Sequence, residues 1–520
     1  MSNRDLFDLT TRRARLERLV APAFAALAVA AIVTIAFVAR WRFLDSSPYP
    51  LGIDGFYYPI QLRSLLHDFR LYYPASPMVF WLMLPGAWAL GPIAGAKLCA
   101  SLGTALAAVP VYAIVRRATG ERAAGVAGAA LVATAAGSFL LATEFVKQGV
   151  GLTLALAFVA MLGAALDAPA GRGRRTRIAL AATLLAATLL AHLSSLALAV
   201  VLVAPPLWVR ATKGGNYRRL PAALIAVALA VLAAVVVLLV PAVRHDMGLA
   251  HLFGPASRDF FAGGPTFHNE VPLGALAAVV LAVSVVVGVV LHRVHGPRAT
   301  PRTTAASAEA RALLVGPAAL ALILALPWLS SRDPQGLVFR LRIMAFVPLA
   351  ICAPAAMTQL IAWAAPRLLQ LLPITAAAVL LALVPLRYVA PVNWPNPLFV
   401  PGATAIADHT PPGAIIIVKE RQLAFMVKWF ADREARTLAP RAIDARPTFR
   451  LASPGVLPPG VLRELDAFEK GLPANLPRPV HLLPRKPNAM ILFAEPTWQA
   501  LVEAASPADR SQLEPWVREL

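Results

Sequence analysis

From Leu19 to Leu386 the sequence returns again and again to apolar runs of about 20 residues, joined by short links rich in Arg, Pro and Gly. Such a run, at ~1.5 Å per residue, is what an α-helix needs to cross the hydrocarbon core of a bilayer. Backbone polar groups in lipid must find partners within their own segment, so runs of this kind fold as helices. Composition agrees. The 520 residues are 58% hydrophobic and 14% charged, with mean hydropathy +0.67, against roughly a quarter charged in soluble domains. The expected class is a polytopic α-helical membrane protein.

The net charge of +21 raises nucleic acid as a partner, and its distribution argues against one. Met1–Arg387 holds 33 Lys+Arg and 14 Asp+Glu, and the remainder 15 and 13. The surplus lies in short links between apolar runs, as the positive-inside rule requires. A nucleic-acid binder would gather it on one soluble face. Cys99 and Cys352 both lie in apolar runs and read as packing residues, not as a disulfide. The first run is long and lacks a small-residue cleavage site after it, so it reads as an anchor.

Residues 1–18 carry Arg12, Arg13, Arg15 and Arg18 and are expected as a cytoplasmic basic tail. The first span, 19–39, then runs outward, and residues 40–93 form the first extracytoplasmic loop. Within it, Pro77–Pro92 is apolar but short and is interrupted by Pro85-Gly86. If it crossed, four basic links (116–122, 172–177, 210–219 and 293–311) would lie outside. It is therefore expected as an interfacial or re-entrant helix with Trp81 and Trp88 at headgroup depth. Further spans are expected at 94–115, 123–143, 148–166, 178–193, 195–209, 220–241, 273–291, 312–329, 343–363 and 368–386, eleven with the first. The stretch 178–209 would be about 48 Å of helix, too long for one crossing. It is split into two short helices turning at His192–Ser195. Eleven crossings place residues 388–520 outside. There Gly413–Lys419 and Ala489–Ala494 read as strands, and Arg421–Arg436 as a helix with Leu423, Met426, Val427 and Phe430 on one face. Pro496–Ser506 and Ala508–Leu520 read as further helices. Together they suggest a small extracytoplasmic α/β domain.

Ionisable groups at membrane depth are costly and face a cavity or a partner. In this topology the outer candidates include Asp45, Asp54, Tyr57, Tyr58, Glu144, Lys147, His192, Arg340 and Arg342. Asp54 ranks first. It precedes the helical pattern Pro59–Asp68, where it is either an N-cap or a chemical group. Asp45 sits in a plain polar turn. Glu144 and Lys147 are either a salt-bridged hairpin turn or part of a site, and His192 either ends a short helix or works in the site. Arg340 and Arg342, in LVFRLRI, suit a phosphate at headgroup depth or simply snorkel. The chain has no H-E-x-x-H, P-loop, C-x-x-C or G-x-S-x-G, which leaves zinc proteolysis, ATP hydrolysis and redox chemistry without a foothold.

Four stretches in order resemble the GT-C class of membrane glycosyltransferases: GIDGFYYP, then YYPASPMVFWLMLP, then VYAIVRRATGERAAG, then TEFVKQG. The proline-aromatic stretch is similar to that of lipid A aminoarabinose transferases and protein O-mannosyltransferases. The likeness covers about residues 19–200 and beyond that only the layout. Asp54-Gly55 stands where some relatives have Asp-Glu, and the WWD-type motif of oligosaccharyltransferases is missing. The resemblance implies a GT-C-like bundle and a polyprenyl-phosphate sugar donor, with a lipid, glycan or protein acceptor served on the extracytoplasmic side of a cell membrane, the inner one in a bacterium. It makes Asp54 the general base or, with Glu144, a ligand of a divalent cation (Mg²⁺ or Mn²⁺). Lys147, Arg340 and Arg342 would hold the donor phosphate, His192 would orient either partner, and Tyr57, Tyr58 and Asp45 would line the substrate loop. A lipid-linked sugar transporter or flippase, an O-antigen polymerase or ligase type of enzyme, and a non-catalytic envelope assembly protein stay open as alternatives.

Overall fold

The structure is a computed structural model that describes residues 3–52, 54–212, 270–295, 307–326, 337–364, 396–409, 415–418, 421–437, 449–452, 489–494 and 517–519. The helices begin with α1 (Asn3–Leu44), α2 (Tyr57–Asp68), α3 (Met78–Leu90), α4 (Pro92–Ala105), α5 (Ala108–Thr119) and α6 (Arg122–Thr134). They continue with α7 (Ala136–Thr143), α8 (Val146–Asp167), α9 (Arg172–Ala191), α10 (Leu193–Thr212) and α11 (Glu270–His295). Next come α12 (Ala308–Ala312), α13 (Val315–Leu324), α14 (Leu337–Ile343), α15 (Phe346–Ala364) and α16 (Asn396–His409). Strand β1 (Ile415–Val418), helix α17 (Arg421–Ala431) and strands β2 (Glu434–Thr437), β3 (Phe449–Ala452), β4 (Ala489–Ala494) and β5 (Val517–Glu519) complete the order.

The chain divides into two compact units. One gathers Met1–Phe43, Tyr73–Leu82 and Leu98–Ala390; the other gathers Leu44–Tyr72, Met83–Lys97 and Pro391–Leu520.

The first unit is a helical bundle whose core joins Ile32, Val111, Ala130, Leu156, Leu198 and Ala350 from six helices. Among the described residues, four helical stretches are long and apolar enough to cross a membrane: Ala21–Leu44, Pro92–Thr119, Val146–Asp167 and Leu193–Arg210. The bent pair α6–α7 makes a fifth if it is one span. The chain is an integral membrane protein. The expected spans 220–241 and 368–386 lie outside the described residues. The expected span 312–329 is broken, with α12 ending at Ala312 and α13 covering Val315–Leu324. Helix α1 starts at Asn3, inside the segment expected as a tail. Helix α3, 13 residues long with Pro85 inside, matches the short segment at 77–92, and Trp81 and Trp88 are 52% and 81% exposed.

The α6–α7 bend has a specific filling. Ala135 adopts φ −64°, ψ 139°, which interrupts the helical ladder and turns the chain by 48°. The Arg40 side chain, wholly buried, donates to Ala133 O at 2.7 Å, Ser138 Oγ at 2.8 Å and its own Ala36 O at 3.0 Å. Its guanidinium also stacks on Phe139 at 4.7 Å. Carbonyls freed by a helix break in an apolar bundle need donors, and Arg40 supplies them. Arg40→Ala leaves those acceptors buried and unmet, a loss of about 2–5 kcal/mol. We expect a thermal unfolding midpoint in detergent lowered by several degrees, with Arg40→Lys intermediate. At other helix ends Arg117 pairs with Asp167 at 2.6 Å, and Arg210 meets Glu309 at 3.9 Å and Leu166 O at 3.0 Å.

In the second unit the strands form one sheet in the order β2-β1-β4-β3-β5. Strand β1 runs parallel to β2 and β4, while β3 is antiparallel to β4 and β5. β1, α17 and β2 make a βαβ unit. Helix α17 buries Leu423, Met426 and Val427 completely, as its spacing predicts. It is shorter than the Arg421–Arg436 expected. Asp432 takes the left-handed conformation (φ 50°), which ends the helix and lets Glu434–Thr437 pair with β1. Strand β5 likewise occupies part of the stretch 508–520 expected as helix, and 496–506 lies outside the described residues.

Candidate functional site

In the first unit, polar groups collect where helices break. Helix α9 stops because His192 is extended (φ −164°, ψ 131°), and α10 restarts at Leu193. That is the expected turn. Helices α7 and α8 are separated by Glu144 and Phe145, with Glu144 N–H capping α7 through Leu140 O. Glu144 and Lys147, in the first turn of α8, are half-buried. Gly151 lets α8 approach the α9–α10 break. A Cβ there would stand 3.1 Å from both His192 Cβ and Ser195 Oγ.

Arg340 on α14 enters this cluster. Gln148 Nε2 donates to Arg340 O at 2.8 Å, and Arg340 Nη1 donates to Gln148 Oε1 at 3.4 Å and to His192 Nε2 at 3.1 Å. The guanidinium also lies 5.6 Å from the Phe145 ring centre. Ser195 Oγ donates to Gln148 O at 3.1 Å, and Ser194 Oγ sits 2.8 Å from His192 Nδ1. A guanidinium has no acceptor, so in this contact His192 Nε2 accepts and is unprotonated. The imidazole proton is then on Nδ1, donated to Ser194 Oγ.

Arg342 shares helix α14 with Arg340. Residues two apart on a helix point to different sides. Arg342 is 1% exposed and donates to Leu326 O at 3.4 Å. Burial pushes its guanidinium below the ordinary value. The expected pair of cations at one mouth is thus one half-buried arginine, Arg340, and one buried arginine. Gln148, Ser194 and Ser195 were missed as partners. Their signal was present in the polar residues crowded into TEFVKQG and HLSS between apolar runs.

In the second unit the opening loop is built around Asp54. Gly52 takes φ 88° and its carbonyl accepts from Gly55 N at 3.1 Å, closing a tight turn. A Cβ on Gly55 would lie 2.6 Å from Leu51 O, so the turn closes only with glycine there. Gln422 Nε2, on α17, donates to Gly52 O at 3.2 Å. Asp54 is half-buried, and its carbonyl accepts from Tyr57 N at 3.0 Å. The N-cap of α2 is Phe56, with no side-chain cap. The expected N-cap role of Asp54 is therefore not what starts this helix.

Aromatic rings brace the loop. Phe56 packs on Phe430 at 5.4 Å and Trp429 at 6.2 Å, Tyr49 on Phe430 at 5.8 Å, and Tyr57 on Phe425 at 5.5 Å and Tyr58 at 5.4 Å. Arg63 donates to Lys428 O and Trp429 O at 3.1 Å each, satisfying the last carbonyls of α17. Tyr57 and Tyr58 are buried. Asp45 faces Lys97 Nζ at 3.9 Å, and buried Lys97 also donates to Ser47 O. Beside α2 an open cleft of about 660 Å³ is lined by His67, Asp68, Arg70, Tyr72, Lys428 and Asp432 among others. Among the described residues no group of three His, Cys, Asp or Glu is placed to hold a metal ion.

No family model matches this sequence, and no curated protein does. Two solved structures of ArnT from Cupriavidus metallidurans are similar. The one bound to undecaprenyl phosphate is 15% identical with a TM-score of 0.49, covering 93% of this chain and 95% of that one. The apo form is 16% identical, also with a TM-score of 0.49, covering 94% and 96%.

Proposed function

We propose that this protein is a GT-C type glycosyltransferase moving a sugar from a polyprenyl-phosphate donor to an acceptor on the extracytoplasmic side. The observation that carries this is Arg340, a half-buried cation held by Gln148 and His192 at two helix breaks of an apolar bundle. Ionisable groups at membrane depth are rare and often mark a substrate or ion pathway. A guanidinium fork matches phosphate oxygens, and a polyprenyl tail would remain in lipid. The ordered motifs of residues 19–200 support the same class.

Each group then has a role. Asp54 takes the proton of the acceptor hydroxyl as its oxygen attacks the anomeric carbon. The bond from that carbon to the phosphate oxygen breaks, and polyprenyl phosphate leaves with one more negative charge. Arg340 and Lys147 meet that charge. Tyr57, Tyr58 and their ring partners hold the loop that carries Asp54. Arg342 anchors α14 from its buried side. A divalent cation, Mg²⁺ or Mn²⁺, would find carboxylate oxygen at Asp54 or Glu144, with water and phosphate oxygens in its other positions.

The test is release of the carrier. The protein is purified into lipid nanodiscs and given polyprenyl-phosphate sugars with an envelope extract as acceptor. Free polyprenyl phosphate should accumulate with time. Donor that binds and crosses the bilayer without release would favour a lipid-linked sugar transporter, which uses the same cation and leaves Asp54 without a role.

A further inference from the structure

Helix α17 and the loop that carries Asp54 belong to the same compact unit. Gln422, Phe425 and Trp429 stand at i, i+3 and i+7 on α17, a spacing that puts three side chains on one helix face. Each of them meets the loop or the start of α2. Gln422 Nε2 donates to Gly52 O at 3.2 Å, Phe425 packs on Tyr57 at 5.5 Å, and Trp429 packs on Phe56 at 6.2 Å. Farther along α2, Arg63 donates to the Lys428 and Trp429 carbonyls at 3.1 Å each, and its guanidinium lies 4.7 Å from the Trp429 ring centre. In sequence, Asp54 thus falls between two polar ties to a single helix, Gly52 on one side and Arg63 on the other.

Stability alone does not account for Gln422. Its side chain is 1% exposed, among neighbours on the helix that are apolar where they are buried: Leu423, Met426 and Val427. Gly52 O already accepts from Gly55 N at 3.1 Å, so the turn has its closing bond without Gln422. The other end of the amide, Oε1, is buried and meets no donor among the described residues. A buried acceptor left unmet costs free energy that an apolar side chain of the same size would not. Such a group in a native chain calls for an explanation. The one bond that Gln422 makes falls on the turn that presents Asp54.

Resting on the reading of Asp54 as the base, we infer that Gln422 and Arg63 are positioning residues for Asp54, and that α17 is the splint of its loop. The α/β unit then sets the rate of transfer through the loop it holds. Gly52, at φ 88°, and Gly55 give the turn its tight shape, and glycine backbone is also the most free to shift. The bond from Gln422 fixes the Gly52 end of the turn, and the bonds from Arg63 fix α2, which follows it. The carboxylate between the two ties keeps one place. A general base must stand within hydrogen-bond reach of the proton it removes, and a displacement of about 1 Å can cost on the order of 10²-fold in rate.

Gln422→Met separates positioning from support. It keeps the side-chain volume while deleting both the bond to Gly52 O and the unmet oxygen. The full chain in nanodiscs is assayed for release of polyprenyl phosphate over a range of donor concentrations, beside the wild type and Asp54→Asn, and unfolding midpoints are taken in detergent. In Gln422→Met, kcat should fall by about 10–10²-fold. The donor KM should stay within about 3-fold, as when an interaction of the transition state alone is lost, and the midpoint should be no lower than that of the wild type. Arg63→Met should slow transfer in the same way, with Arg63→Lys recovering part of it. Wild-type kcat in Gln422→Met overturns the inference, and wild-type kcat in Arg63→Met removes Arg63 from it. A lowered midpoint or a failure to fold in Gln422→Met also overturns it, making Gln422 a structural residue. A raised donor KM with kcat kept does so as well, making Gln422 a substrate contact. Asp54→Asn as fast as the wild type, or no release by the wild type, refutes the reading of the base or of the reaction itself, and the inference falls with it.

Discussion

Asp54→Asn lowers sugar transfer by about 10²–10⁴-fold, the usual worth of a positioned general base, while the protein keeps its fold. The two halves of that expectation have separate causes. The loop is closed by the Gly55 N–H to Gly52 carbonyl bond and clasped by Gln422 on Gly52 O. The first turn of α2 uses the Asp54 carbonyl, which Asn also has. Asn matches Asp in shape and removes the basic oxygen. Unfolding midpoints in detergent should therefore agree within a degree or two, and the loss should fall on the chemical step. The same variant separates the two roles open to the carboxylate. Asn retains one oxygen, so a defect in cation binding would be partly relieved by millimolar Mg²⁺ or Mn²⁺. A missing base would not respond to added metal.

The second large effect belongs to Arg340. Arg340→Ala should lower transfer by about 10²–10³-fold, the range seen when one donor to a developing oxyanion is removed. Arg340→Lys should recover only part of that, because an ammonium keeps the charge and loses the fork. Arg342→Ala is the internal control. Its guanidinium is buried and donates to Leu326 O. The expected consequence is lost stability, with transfer per folded molecule nearly unchanged. A reversal, with Arg342→Ala silencing transfer and Arg340→Ala leaving it intact, would move the phosphate to the other side of α14.

What the sequence made legible follows from how each signal arises. Length alone divided residues 178–209, and the break came at His192 because HLSS offers polar groups between two apolar runs. Asp54 and Arg340 stood out as charges where charge is costly. Their surroundings were harder to see. Gln148 meets Arg340 across 192 residues, and Arg40 fills a bend 93 residues away, so no local pattern announces either pairing. Lys97, within an apolar run, gave no hint that it reaches Asp45 and Ser47 O. Helix α17 shows the opposite failure. Its periodicity carries on past Ala431, and the left-handed Asp432 together with pairing to β1 overrides it. The Asp54 N-cap failed for a related reason. Asp is a preferred cap in general, but a glycine-closed turn placed its carbonyl, and not its side chain, at the start of α2. Of the eleven spans expected, four or five are long and apolar enough among the described residues. The shortfall includes helices such as α12 and α13, which break within one apolar run.

The central claim is that this chain binds a polyprenyl phosphate group through Arg340. Native mass spectrometry of the purified protein, released from detergent in the presence of polyprenyl phosphate, reads that directly. The wild type should retain one lipid phosphate per chain, and Arg340→Ala should lose it while remaining folded. No bound lipid phosphate on the wild type, or equal retention by wild type and variant, would contradict the account.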